Sequence, residues 1–258
     1  MNGQALESDC RSLKQSGTPW TIRILGKIGV KEGWHCLEIA GGGGSIAQWL
    51  CGQVGSSGHV VATDLEPRFL EAIDAPNLEV WRHDLLRESL PEGAFDLVHA
   101  RAVLTWLPRP AETITKMVNA VKPGGWLLLE EPDYISEIPD PSMTPLAMAL
   151  SKKGRDATRT VARSLGYDAE FGRRLYHEVS KNGIGDLQSE GFVPMRIGGT
   201  APAKFQKVSV EQLQEQILEA GLLTSAELDD FRPLLDNPEY RWVGQTIISV
   251  WGRRILAK

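Results

Sequence analysis

The chain has 258 residues, 42% of them hydrophobic and 24% charged, which is enough for a sizeable core, and α/β folds of this length often form a single unit. Its 28 Lys and Arg against 33 Asp and Glu leave a formal net charge of −5, so there is no broad positive field to hold nucleic acid or an anionic membrane. No apolar run is long enough to span a bilayer, and Glu7 and Asp9 stand where a leader would have its apolar stretch, so a cytoplasmic location is expected.

In chain order, residues 2 to 17 are polar and read as an arm or short helix, and Pro19 to Leu25 has the apolar spacing of a helix that would pack beside a ligand cleft. His35-Cys36-Leu37-Glu38-Ile39 is a strand, Ala40-Gly41-Gly42-Gly43-Gly44 a glycine turn, and residues 45 to 54 an amphipathic helix. A second strand over 59 to 64 ends in Asp64, which completes the first half of a nucleotide-binding α/β fold. Strands at 78 to 82, 95 to 99 and 126 to 131, with helices near 67 to 74 and 110 to 121, extend it into a doubly wound, Rossmann-like parallel sheet. Lys122-Pro123-Gly124-Gly125 stops a helix and turns the chain into Trp126-Leu127-Leu128-Leu129, an apolar run suited to a strand covered on both faces.

Beyond that strand the pattern becomes helical. Residues 139 to 190, with helical stretches from Leu146 to Leu165 and Phe171 to Lys181, read as an insertion and substrate lid, and Gly154, Gly166 and Gly172 mark it as an element of low local stability. Val193 to Ile197 reads as a strand, residues 209 to 220 and 225 to 235 as helices, and Thr246 to Trp251 as a last strand. The expectation is one domain over 1–258, with a cofactor-binding core at 18–134, the lid at 139–190 and residues 191–258 completing the same sheet. Cys10, Cys36 and Cys51 are scattered and odd in number, so neither a disulfide framework nor a metal site is expected.

Gly42-x-Gly44-x-x-Ala47 followed by Asp64 also fits a nicotinamide dinucleotide site, so the glycines alone do not name the cofactor. Glu38 does more. It sits near the end of a strand buried on both faces, where an unpaired carboxylate costs several kcal/mol and a cationic partner is needed. The ammonium of S-adenosylmethionine is such a cation, and that ligand's carboxylate can use backbone N–H groups of the glycine turn and helix start. The alternative is a solvated strand-end acid.

Leu37 to Gly44, Ala62-Thr63-Asp64-Leu65, Arg82-His83-Asp84-Leu85, Phe95 to Arg101 and Val121-Lys122-Pro123-Gly124-Gly125 stand in the order and spacing of class I S-adenosylmethionine-dependent methyltransferases. The chain most resembles the branch that includes ubiquinone/menaquinone-biosynthesis enzymes and many bacterial small-molecule methyltransferases, and the likeness runs on to Ser249 to Arg254. It implies an antiparallel last strand, S-adenosylmethionine as cofactor and S-adenosylhomocysteine as product. Ala40 departs from the pattern, replacing the first glycine of E-x-G-x-G-x-G; cofactor binding is expected to survive with a shifted turn.

By position, Ala40, Gly41, Gly42 and Gly44 would meet the methionine portion of the cofactor with Glu38, Asp64 would accept from the ribose hydroxyls, and Leu65 would pack on adenine. Asp84 would accept from the adenine amino group while the Leu85 N–H serves a ring nitrogen, and Ala100 would bring small backbone close to the methionine portion. An N-cap for the helix at Pro67 is the alternative for Asp64, and an ordinary loop acid that for Asp84.

Methyl transfer from a sulfonium is an in-line displacement, to which orientation and exclusion of water contribute up to about 7 to 11 kcal/mol. A general base is needed only for an acceptor that must lose a proton, and Asp133 and Tyr134, after the fifth strand, are the candidates for it. Arg101, Trp106 and Tyr176 are the candidate acceptor contacts; His99, alternating with Leu97 in a buried strand, reads as a packed histidine with a local hydrogen bond. Lys152, Lys153, Arg155, Arg159, Arg163, Arg173 and Arg174 would attract an anionic acceptor or form a solvated face. The expected partner is a small organic acceptor, with O-methylation slightly ahead of C- or N-methylation, and the oligomeric state is left open. Two other readings are a nicotinamide oxidoreductase and a non-methylating S-adenosylmethionine-binding protein of the same fold.

Overall fold

The computed structural model describes residues 18–255, so Cys10 and the arm or helix expected over 2 to 17 lie outside the described residues. The described residues divide into two compact units, one drawn from 18–132, Phe171–Phe192 and 247–255, the other from Asp133–Glu170 and Val193–Thr246.

The first unit is an α/β sheet. Its strands are β1 (His35–Ile39), β2 (His59–Asp64), β3 (Leu78–Arg82), β4 (Phe95–Arg101) and β5 (Val121–Asp133), joined by β7 (Ile184–Phe192) and β10 (Thr246–Arg254) in the order β3-β2-β1-β4-β5-β10-β7. β1 to β5 pair in parallel, while β10 pairs antiparallel with β7. Strand order reverses between β1 and β4, so their carboxyl ends flank the switch point where open α/β sheets bind ligands.

The helices cover both faces because the strands are apolar on both. Cys36 of β1, Leu97 of β4 and Leu128 of β5 pack with Ile24, Leu25 and Ile28 of α1 (Thr18–Ile28) and with Ile46, Leu50 and Val54 of α2 (Ser45–Val54), whose apolar residues recur every three or four positions. Their strand neighbours Leu37, Val98 and Leu127 face the other layer, against Ile114, Met117 and Val118 of α3 (Pro110–Ala120). Each such side chain, fully withdrawn from water, contributes about 1.5–3 kcal/mol.

The second unit holds a three-stranded sheet in the order β6 (Ile138–Pro139), β9 (Arg241–Val243), β8 (Met195–Ile197), with helices α4 (Pro145–Ser164), α6 (Ala201–Gln212), α7 (Gln214–Glu219) and α8 (Ser225–Leu234). Phe231, Tyr240 and Trp242 centre its core. α5 (Phe171–Ser180) belongs to the first unit.

Four expectations change. The helix at 67 to 74 is only a 3-10 turn, Pro67–Phe69, too short a segment for a stable helix, after which Leu70 packs on Ala47 and Ala62. Extended structure begins already at Val121, with a register shift against β4 around Lys122 to Gly125. The segment 139–190 is shared between the units, since β7 within it completes the main sheet, and Met195–Ile197 pairs with β9 in the small sheet instead of the main one. Gly154 and Gly172, read from sequence as marks of low local stability, are close-packing positions: a Cβ on Gly154 would come within 2.4 Å of the Phe231 ring, and one on Gly172 within 2.6 Å of the Pro132 backbone.

Candidate functional site: a cleft at the carboxyl ends of the parallel strands

At the switch point of the first unit an open cleft is lined by Ile39, Ala40, Asp64, Leu65, Asp84 and Leu85 among others, so five of the ten residues proposed from sequence for the cofactor form one wall. Asp64 ends β2 and binds backbone on both sides: Oδ2 accepts from the Gly42 N–H at 2.8 Å and Oδ1 from the Glu66 N–H at 3.1 Å. It therefore ties the glycine turn to the end of the second strand and to the backbone that leads into the Pro67 turn. Leu65 is 59% exposed, open for a planar ring to lie on. Asp84 accepts from the Leu86 N–H at 2.9 Å and faces Arg87, while Leu85 is buried beside it.

Ala40 has φ 52, in the left-handed region where a Cβ costs roughly 1–2 kcal/mol. The glycine normally found here is thus a conformational requirement that this chain meets with strain. Gly42 (φ 53) and Gly44 (φ 79) adopt the same region without penalty. Ala100 is buried in the core at the end of β4.

Glu38, 4% exposed, already has a cationic neighbour. Its Oε2 is hydrogen-bonded to Nδ1 of the fully buried His99, whose Nε2 lies 3.3 Å from Glu130 Oε2. Thr21 Oγ1 donates to Glu130 Oε2 at 2.5 Å and accepts from Arg101 Nη1 at 2.8 Å; Ser249 Oγ donates to Glu130 Oε1 at 2.6 Å and accepts from Trp20 Nε1 at 2.8 Å. The unpaired acid expected from sequence is the end of a buried network spanning α1, β1, β4, β5 and β10. Sequence reasoning gave His99 a local hydrogen bond and missed the two glutamates around it, because their convergence depends on strand order.

The cleft wall fits an adenosine-type ligand: exposed apolar surface at Leu65, carboxylates at the ends of β2 and β3, and a histidine, His83, whose buried Nδ1 has no hydrogen-bond partner among the described residues while its Nε2 lies 3.3 Å from the Ser89 carbonyl. His83 escaped sequence reasoning although it precedes Asp84 directly. The profile of the methyltransferase-domain family matches residues 37–129, the stretch that carries this wall. These residues are therefore similar to a methyltransferase domain.

A Francisella philomiragia ubiquinone/menaquinone biosynthesis C-methyltransferase, UbiE, is 26% identical over 171 residues, covering 63% of this chain and 66% of that relative. Among solved structures, the YcgJ protein of Bacillus subtilis has a TM-score of 0.62 at 13% identity, covering 94% of this chain and 100% of that one. Phosphoethanolamine N-methyltransferase 2 of Haemonchus contortus, in complex with phosphomonomethylethanolamine and S-adenosylhomocysteine, has a TM-score of 0.56 at 15% identity over 92% of this chain and 53% of that one. Both share the fold. Among the described residues no helix is long and apolar enough to cross a membrane.

The residues expected on the acceptor side of the methyltransferase domain divide between the units. Arg101 belongs to the buried network; Trp106, in the 3-10 turn Leu104–Trp106, is 62% exposed, and Tyr176 on α5 is 47% exposed. That turn is pinned by Glu131, a fully buried carboxylate accepting from the N–H groups of Val103 at 3.0 Å and Leu104 at 2.8 Å; burial pushes its carboxyl up to about 7 against the pull of those donors. Asp133 and Tyr134 fall in the second unit. Asp133 Oδ1 accepts from the Ile135 N–H at 3.2 Å, and Tyr134 packs edge-on against Tyr167 at 5.8 Å between ring centres.

The basic run on α4 is engaged with its own unit. Lys152 meets Asp156 at 2.7 Å, Lys153 meets Glu227 at 2.5 Å, and Arg159 reaches Glu137 at 3.3 Å. The buried Arg155 donates to Tyr240 Oη at 2.9 Å and lies 4.0 Å from Glu137. Burial raises the Glu137 carboxyl, and Arg155 and Arg159 work against that rise.

Proposed function

We propose that the protein transfers a methyl group from S-adenosylmethionine to a carbon atom of a small organic acceptor, neither nucleic acid nor lipid surface being its target. The observation that carries the cofactor half is the single wall on which Asp64, Leu65, Asp84 and Leu85 meet, next to the Glu38 strand end and inside residues 37–129. The order of preference among acceptor atoms drawn from sequence is reversed: the relative's name specifies C-methylation, which favours carbon over oxygen.

The cofactor supplies an electrophilic methyl on a sulfonium; the chain binds, orients and dehydrates. Asp64 would accept the ribose hydroxyl protons with the lone pairs its backbone contacts leave free, Asp84 and the Leu85 N–H would read the adenine edge, and Ala40, Gly41, Gly42 and Gly44 would present backbone to the amino-acid end. Ala100 would leave room beside it. A carbon nucleophile such as an electron-rich hydroxylated ring must lose a proton, and Asp133 and Tyr134 are the groups we assign to that step, with Arg101, Trp106 and Tyr176 as acceptor contacts.

The test is transfer of labelled methyl from S-adenosylmethionine to a panel of hydroxylated aromatic rings, with NMR of the product to tell ring carbon from oxygen. Carbon labelling supports the proposal. Labelling of oxygen or nitrogen alone overturns the choice of atom, and binding of NADH with no binding of S-adenosylhomocysteine overturns the cofactor.

A further inference from the structure

His99 sits between two carboxylates. Nδ1 is hydrogen-bonded to Glu38 Oε2 and Nε2 lies 3.3 Å from Glu130 Oε2, so both ring nitrogens face groups that only accept. A neutral imidazole has one N–H and one lone pair, and either tautomer would set that lone pair against an oxygen lone pair inside the core. The ring is therefore an imidazolium. Charge agrees: Glu38 from β1 and Glu130 from β5 are balanced by His99 and Arg101 from β4, while Trp20 and Thr21 of α1 and Ser249 of β10 contribute neutral donors.

The two oxygens of Glu38 are unequal. Oε2 is committed to His99, whereas Oε1 accepts no hydrogen bond from any described residue. Glu38 lies directly across from His99 in the parallel pairing of β1 with β4, so the imidazolium sets the carboxylate's rotation about its last torsion. Glu130, fixed in turn by Thr21 and Ser249, holds the far side of the ring.

We propose that His99 is a positioning residue for the cofactor: clamped between Glu38 and Glu130, it fixes one oxygen of Glu38 and leaves the other aimed at the cofactor's ammonium. The proposal rests on the reading that Glu38 binds S-adenosylmethionine. The same contacts join α1 to the site, because Thr21 and Trp20 reach Glu130 and Ser249, the shell that holds the ring.

The experiment is calorimetry of wild type and His99→Gln with two probes, S-adenosylhomocysteine, which carries the ammonium, and methylthioadenosine, which lacks the amino-acid tail. His99→Gln is expected to weaken S-adenosylhomocysteine about tenfold or more, the scale of a charge-assisted hydrogen bond, and to change methylthioadenosine by less than about twofold. Equal losses for both probes, or no loss for either, overturn the proposal. Failure of wild type to bind S-adenosylhomocysteine overturns the Glu38 reading and this proposal with it. If His99→Gln does not fold, nitrogen NMR of the wild-type ring decides: both nitrogens protonated at neutral pH, with a shift on adding S-adenosylhomocysteine but not methylthioadenosine, supports it. A neutral ring, or equal shifts with both probes, overturns it.

Discussion

Nδ1 of His99 is hydrogen-bonded to Oε2 of Glu38, two buried side chains at paired positions of adjacent parallel strands. Burial opposes a charge on the ring, but Glu38 and Glu130 outweigh it and keep His99 protonated up to about 9, against 6.5 for an ordinary histidine. The folded value lies above the unfolded one. The stabilisation is therefore complete below about 6.5 and is lost as pH rises through about 9. Melting temperature is expected to fall from neutral pH into that range, and His99→Gln, less stable at neutral pH, to show a shallower fall; equal slopes in calorimetric scans would remove the ring as the cause.

How much of this was legible in the sequence depended on whether a feature is local. The glycine turn, Asp64 at the end of β2, and α2 follow from spacing along a few residues, and they stand where the pattern puts them. Glu38 was legible as a buried acid, but its partner was not, since His99 is 61 positions away and meets it only because β4 lies beside β1. For the same reason β7 was hidden inside an apparently helical segment: Ile184–Phe192 alternates weakly and is a strand because β10 offers it an edge.

Ala40→Gly tests the strain at the turn. At φ 52 the methyl costs roughly 1–2 kcal/mol, while the greater freedom of glycine in the unfolded chain returns about 0.4–1 of that. A net gain of between zero and about 1.6 kcal/mol is expected, raising the melting temperature by up to roughly 6 °C without weakening S-adenosylhomocysteine. A lower melting temperature would mean that the Ala40 methyl packs better than it strains.

Glu38→Gln and Asp64→Asn each remove a charged acceptor from the proposed cofactor site, and each is expected to weaken S-adenosylhomocysteine by roughly 1–3 kcal/mol in calorimetry. Asp64→Ala should cost more than Asp64→Asn, because it also strands the Gly42 and Glu66 N–H groups and frees the glycine turn. Identical affinities for the two Asp64 variants would confine the residue's contribution to its charge.

Asp133→Asn and Tyr134→Phe separate chemistry from scaffolding in the acceptor reaction. Asparagine keeps an oxygen for the Ile135 N–H, and phenylalanine keeps the edge-on packing against Tyr167, so both variants should fold with wild-type stability. If the carboxylate or the phenol moves the acceptor's proton, turnover should fall by about 10²-fold at saturating cofactor. S-adenosylhomocysteine affinity should stay within about twofold, since an interaction made only with the acceptor leaves cofactor binding untouched. A fall in turnover for Asp133→Asn alone would make the carboxylate the base and Tyr134 part of the wall. Unaltered turnover in both would leave orientation and exclusion of water as the source of rate and remove both residues from the reaction.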